Sequence, residues 1–492
     1  MAGAQPIREV VIAGGGIVGW SAAAALRRRL PTVAVTVLPV EPPADALADR
    51  VASTLPSIFG FHGDIGLTEA DTILNAGSVV RLGTRFSGWN VGIPPYIHAY
   101  GSYGSAVGSL AFHKAWLRAK QAGDTEHFDA FSFAAAAAHD SRVVPPGTES
   151  GADVQPALRI DAVQYRDMIR AYALHLGARE RRGVPVDVML REDGFIEALR
   201  LDDGSEVRGD LFVDCTGPAA AIRSQLDHAF EDWSRWLPCD RILFADAPTR
   251  EEPSPLDEAV AMRAGWRWTS AGARQTSSGY VYASAFLGDD EARAALGAET
   301  AGEPVRLRQG RRPQPWLRNC VALGDAAVCV EPLEWANLHL AHSAIDRLVS
   351  MMPDRDCSAV ELWDYNRQCA AEADRVRDFI ALHYLTADRP EPFWRDAAAA
   401  EPPASLAHTL SLFRERGHLP FYEEETFSRD NWLAVLFGQG VVPRRTDPLA
   451  DAVSPEQARQ ALAAMRQAIM ASTRELPSQT AYLNHLNKQA PR

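Results

Sequence analysis

The sequence predicts an α/β fold: a dinucleotide-binding domain broken by insertions, followed by a helical carboxyl-terminal part. Three observations predict it. The apolar run Glu9–Ala13 leads into Gly14-Gly15-Gly16-Ile17-Val18-Gly19 and then into a segment with helical spacing. Two later strand-like runs, far away in the chain, also stop at glycine turns, one at Asp214-Cys215-Thr216-Gly217 and one at Gly324-Asp325. The last third repeats apolar residues at helical rather than strand spacing.

The first turn opens the fold. A strand, a glycine turn, a helix through Trp20, Ala23, Ala24 and Leu26 to Arg29, and a second strand at 33–38 form a β-α-β unit. Gly14, Gly16 and Gly19 are the candidate pyrophosphate contacts, because phosphate must approach the backbone at a helix end whose free N–H groups and dipole favour anions. An acidic residue about 20 positions past such a turn usually holds the ribose hydroxyls. Pro39 sits near that place and Glu41 two residues beyond, so Glu41 is either a ribose ligand or a solvated loop charge.

Residues 187–217 alternate as strands around the turns Asp193-Gly194 and Asp203-Gly204. A strand at 320–323 ends at Gly324-Asp325, and a helix follows over 338–351. Three strand-to-glycine turns this widely spaced point to FAD, since a nicotinamide enzyme needs only the first, and no second GxGxxG offers an NAD(P)H site. The FAD domain is expected over 1–350, with substrate-region insertions at about 85–185 and 225–310. Residues 351–492 are expected to be helical and to pack on the substrate side, with a helix at 455–476 capped by Ser454. The proline-bearing stretches at 253–255 and 390–403 read as loops.

Composition narrows the function. A net charge of -13 argues against nucleic acid as a partner, because phosphate contacts need a basic face. No apolar run approaches the roughly 18 residues that cross a bilayer, and the start carries no leader pattern, so a cytoplasmic address away from membranes is expected. The six cysteines lack paired C-x-x-C spacing and read as buried thiols. There is no metal motif and no G-x-S-x-G elbow. His98, His113, His339 and His383 have no nucleophile or ligand partner by spacing and read as packing or hydrogen-bonding residues.

With those landmarks in place, the chain resembles the flavin-dependent tryptophan halogenase family over nearly its whole length. VVIAGGGIVGWSAAAAL is similar to the family's FAD turn, and RLGTRFSGW to the segment bearing its active-site lysine. YIHAYGSYG, FHKAWL, DCTG, GWRW followed by SGYVYASAF, and EPLE complete the pattern in order. The resemblance implies a glutathione-reductase-like FAD fold and a small aromatic substrate, an indole or a phenol. It also implies reduced FAD supplied by a separate flavin reductase. By implication, that flavin forms a C4a-hydroperoxide with oxygen, chloride or bromide becomes hypohalous acid, and the acid passes through a tunnel to the lysine. A glutamate then stabilises the cationic arene and takes its proton. A homodimer is compatible with folds of this kind.

The resemblance assigns Glu334 as that glutamate and Arg81 to the lysine's place. It gives Thr54, Gly324 and Asp325 to the flavin, with Asp325 on the ribityl chain, and Trp266 and Trp268 to the passage between flavin and substrate. Four departures follow. Arg81 cannot lose its proton, so a haloamine there is chemically implausible; as a catalytic residue it donates hydrogen bonds to hypohalous acid or orients a carboxylate substrate, and otherwise it serves a structural ion pair. The family's Ser-Thr-Gly is Trp335-Ala336-Asn337, which places Ala336 and Asn337 at the halide and Trp335 beside the flavin or substrate chamber; asparagine there would tolerate left-handed backbone. After GWRW, Thr269-Ser270-Ala271 lacks the apolar Ile-Pro end. The family's Gly-Glu-Ala-Thr is Val51-Ala52-Ser53-Thr54. Three activities stay open: a divergent halogenase, a monooxygenase or oxidase without halide, and a non-catalytic flavin-binding paralogue.

Overall fold

The computed structural model describes residues 5–50, 52–145, 153–249, 252–297 and 301–489. The chain forms two units, one from 1–78, 160–241 and 305–374, the other from 79–159, 242–304 and 375–492. One boundary between these units lies between 374 and 375. It falls inside the continuous helix Ala359–Leu385, where no compositional break marks it.

The first unit is built on a sheet in the order Trp316–Leu317, Cys320–Ala322, Leu211–Asp214, Glu9–Ala13, Ala34–Leu38, Arg179–Glu180. Its centre is parallel, with Val10 opposite both Leu211 and Val35. The middles of those strands, Val10 to Ile12 and Leu211 to Val213, are apolar and buried, as in strands covered on both faces. The helix Ile17–Arg29 follows the glycine turn; Ala22 to Ala25 favour it and keep it thin, so it packs closely against the helices Ala162–His175 and Asn337–Ser350. Arg27, Arg28 and Arg29 sit in its last turn, where cations suit the helix dipole. The strands Pro185–Leu190, Ile196–Leu201 and Glu206–Arg208 form the expected antiparallel sheet. It packs through Leu199 and Leu201 on a core containing Val11 and Phe212.

The second unit carries Gln275–Tyr282, Gly265–Ala271, Leu256–Met262, Gly83–Ser87 and Tyr96–Ala99 as successive neighbours in one sheet. Leu256–Met262 runs parallel to Gly83–Ser87 and the other pairs are antiparallel. Period-two alternation turns Trp266, Trp268 and Ser270 inward and leaves Arg267 and Thr269 exposed. Helices follow in the carboxyl-terminal part. Pro455–Thr473 starts at Ser454, whose side chain accepts from the Gln457 N–H at 3.2 Å. The stretch 390–403 is not all loop: Pro392–Ala399 is a helix with Pro392 in its first turn, where the missing N–H costs nothing. Among the described residues, no helix is long and apolar enough to cross a membrane.

Candidate functional site

The glycine turn of the first unit is fixed by backbone contacts. Gly14 N–H donates to the Leu38 carbonyl at 3.0 Å and Gly15 N–H to that of Val40 at 2.6 Å. Gly14 has φ +145°, and a Cβ there would lie 2.5 Å from the Cys215 carbonyl oxygen. On Gly19 a Cβ would lie 2.1 Å from the Gly14 carbonyl oxygen. Both positions therefore need glycine for contact, and Gly14 for conformation as well.

A carboxylate already stands at this turn. Asp49 Oδ1 accepts the Val18 N–H at 2.9 Å, and a Cβ on Gly16 would be 2.3 Å from the same oxygen. Burial raises Asp49 to about 6, against the lowering effect of its bonds to the Val18 and Ile17 N–H groups and of Arg166. Asp325 is buried and its Oδ2 accepts the Ala48 N–H at 2.7 Å; desolvation pushes its carboxyl well above the usual range. Glu41 points to solvent, 86% exposed, with Arg166 4.0 Å away. Asp214 accepts N–H groups of Thr216, Ile222 and Arg223, which shapes the Asp-Cys-Thr-Gly turn.

These residues fit FAD. The turn admits backbone but no Cβ, and two buried polar atoms, Ser53 Oγ and Asn337 Oδ1, lack hydrogen-bond partners among the described residues. Thr54 is buried beside Ser53, while Val51 lies outside the described residues.

The Glu334 segment is held from below. Glu331 is buried and exchanges two bonds with Gln309, at 2.9 and 3.0 Å, while Gln309 also donates to the carbonyls of Leu237 and Cys239. The chain then turns through Glu334 (φ 65°) and Trp335 (φ 60°), both buried. Left-handed backbone at two such side chains costs about 1–3 kcal/mol each and persists only where surrounding structure enforces it. The tolerance of asparagine for left-handed backbone is not called on at Asn337, which opens the helix Asn337–Ser350 and takes a helical conformation. Its Nδ2 donates to the Val330 carbonyl at 2.7 Å. Ala336 is the N-cap and supplies no side-chain cap to the N–H groups of that first turn.

His339, on the same turn, does have partners. Its Nδ1 lies 2.7 Å from Ser57 Oγ and its Nε2 3.0 Å from Glu372, which also accepts from Arg347 at 2.5 Å. Burial works against the Glu372 charge, yet His339 and Arg347 hold that carboxyl at about 2. The other histidines pack as expected. His98 lies edge-on to Tyr100, His383 stacks on Phe86, and burial together with Arg429 lowers His113 to about 4.

In the second unit, Arg81 is buried with its guanidinium engaged on three sides. Nε donates to Asp257, Nη1 to the Tyr100 hydroxyl, and Nη2 to Thr84 Oγ1 at 2.6 Å. Arg159 binds the other oxygen of Asp257, with Nε at 3.1 Å, and donates to the carbonyls of Ser254 and Leu256. Burial disfavours the Asp257 charge, but Arg159 and Arg81 outweigh it and hold the carboxyl at about 2. Arg81 is raised by Tyr100 and Asp257 despite desolvation, so it stays cationic. Trp266 and Trp268 lie 6.0 Å apart in the same unit; Trp268 covers Gly279, where a Cβ would come within 2.0 Å of its ring.

Sequence reasoning missed Asp49, Arg159, Asp257 and the Ser57–His339–Glu372 contact. Spacing gives no hint of partners 98 and 176 residues away, as in the Arg81–Asp257–Arg159 cluster. All six cysteines are free thiols, five of them buried.

Comparison with known proteins agrees with this layout. A family model described as tryptophan halogenase matches residues 9–455. BrvH, a flavin-dependent halogenase from Brevundimonas sp. BAL3, is 36% identical, with a TM-score of 0.92 over 98% of this chain and 99% of that one. Xcc4156, a flavin-dependent halogenase from Xanthomonas campestris, is 34% identical, with a TM-score of 0.91 over the same shares. Tryptophan 6-halogenase ThaL of Streptomyces albogriseolus is 28% identical over 486 residues, 90% of this chain and 91% of that protein.

Proposed function

Because the chain belongs to the tryptophan halogenase family and is thereby an FAD-dependent oxidoreductase, we propose that it halogenates a small aromatic substrate of indole or phenol type. The observation that carries this reading is the buried Glu334 carboxylate, held on a left-handed turn directly before the uncapped helix Asn337–Ser350. That geometry sets an acid–base group beside a helix N-terminus that has no side-chain cap, a setting that suits a halide or a polar cofactor edge.

On this reading the fold is of the glutathione-reductase type and FAD arrives reduced from a separate flavin reductase. Gly14, Gly16 and Gly19 line its pyrophosphate, and Gly324 and Asp325 its ribityl chain. Bound in reduced form, the cofactor supplies the oxygen activation that converts chloride or bromide to hypohalous acid. Glu334 stabilises the cationic arene and takes the proton that leaves the ring carbon at Oε. Arg81 holds no haloamine; it stays cationic and positions the Tyr100 hydroxyl and Thr84. Trp266 and Trp268, buried side by side in the second unit, line the substrate's side.

One observation favours a second reading, oxygen chemistry without halide. Asn337 Oδ1 is a buried, unpaired acceptor in a segment that must offer donors to bind an anion. Incubation with FAD, a flavin reductase, NADH, bromide and an indole–phenol panel, followed by mass spectrometry, tests both. A brominated product absent with E334Q supports halogenation. An oxygenated product indifferent to bromide supports the second reading and rejects the first.

A further inference from the structure

Asp49 stands where the cofactor's charge must go. A helix after a glycine turn leaves its first N–H groups without intrahelical acceptors, and those groups, with the dipole, form the phosphate site. In Ile17–Arg29 the donors of Ile17 and Val18 are instead engaged by the Asp49 carboxylate, the latter at 2.9 Å. The same carboxylate lies against Gly16, so close that a Cβ there would overlap it. Asp49 comes from the short 3-10 turn Leu47–Asp49, whose other N–H groups are tied to Asp325. The loop thus sets Asp49 and, through its N–H groups, the Asp325 carboxyl close together, with Asp45 adding to the negative charge at Asp325 and Arg166 opposing that at Asp49.

We propose that Asp49 is an internal competitor for the pyrophosphate cradle, and that it keeps FAD an exchangeable cosubstrate. This rests on the FAD reading above and deepens it. Cofactor entry must move a carboxylate off the helix end, and cofactor departure returns it. A chain that receives reduced flavin from elsewhere and gives up oxidised flavin gains from such a release device. The facing groups predict a pH dependence. Asp49 carries its charge above a pH of about 6. Below that, a neutral carboxyl competes less, so FAD binds more tightly in mild acid. Burial pushes the Asp325 carboxyl and the Cys215 thiol up as well, and both face Asp49.

The test is FAD titration of the flavin-free full-length chain, read by flavin fluorescence, with D49N and D49S beside the parent at pH 8 and pH 5.5. Asn and Ser are neutral capping residues for the Val18 N–H, and thermal unfolding verifies that each variant folds. The expected result is binding about tenfold tighter in both variants at pH 8, with slower release by stopped flow. At pH 5.5 that gap narrows. Equal or weaker binding in the folded variants overturns the proposal, since Asp49 would then be a bystander or a ligand. Absence of binding by the parent and both variants overturns the FAD reading itself, and the proposal with it.

Discussion

The glycine turn of the first unit and the Arg81 cluster of the second build their sites by opposite means. At Gly14 to Gly19 the backbone defines the site, and side chains matter chiefly by being absent. Around Arg81 the side chains define it: two guanidiniums share one buried carboxylate, and a tyrosine and a threonine take what remains. A site of the first kind tolerates divergence until a Cβ intrudes. A site of the second kind changes as a set, because any one charge left alone in the interior is costly.

The largest expected effect follows from removing the shared carboxylate. D257N leaves Arg81 and Arg159 buried without their counter-charge and should cost about 3–5 kcal/mol in urea unfolding. FAD affinity, which the proposed cradle at Gly14 to Gly19 would set, should not follow. The parent's pH profile carries the same signature. Asp257 lies at about 2 when folded, below the usual carboxylate value near 4, so its contribution is complete above that value and lost as pH falls through about 2. Acid unfolding of the parent that lacks this component would remove the cluster from the account.

Next in size is E334Q. Loss of the acid–base group should lower turnover by about a hundredfold or more, with FAD binding unchanged by fluorescence titration. A parallel loss of both would make Glu334 a flavin ligand. Smaller again is G19A, where the added methyl meets the Gly14 carbonyl; overpacking should cost about 1–3 kcal/mol and weaken FAD binding together. S53A is the mildest. Its hydroxyl is buried and unpaired, so stability should hold or rise by up to about 1 kcal/mol, while FAD binding weakens a few-fold. Loss of stability instead would show that the hydroxyl already has a partner.

What was legible in the sequence divides along the same line. Glycine announces its own geometry, so the three strand-to-glycine turns and the helix Ile17–Arg29 could be read directly. The Glu334 turn was found, but its left-handed residues were not, because neither glutamate nor tryptophan advertises positive φ. The Arg81 cluster and the His339 contacts stayed hidden, since an arginine, an aspartate or a histidine says nothing of a partner brought up by tertiary folding. Pro392 misled for a related reason: proline forbids a helix interior but suits a helix start, and only the following residues distinguish the two.

We propose that a halide-oxidising flavin site survives in the first unit while Arg81 serves structure in the second. The most direct test mixes the protein carrying reduced FAD with oxygenated buffer in a stopped-flow instrument, with and without bromide. Bromide should change the rate at which the oxygen-reacted flavin returns to its oxidised form, in the parent and equally in R81K once that variant is shown to be folded. Reoxidation identical at every bromide concentration would contradict the halide half of the claim, and a bromide effect lost only in R81K would contradict the other.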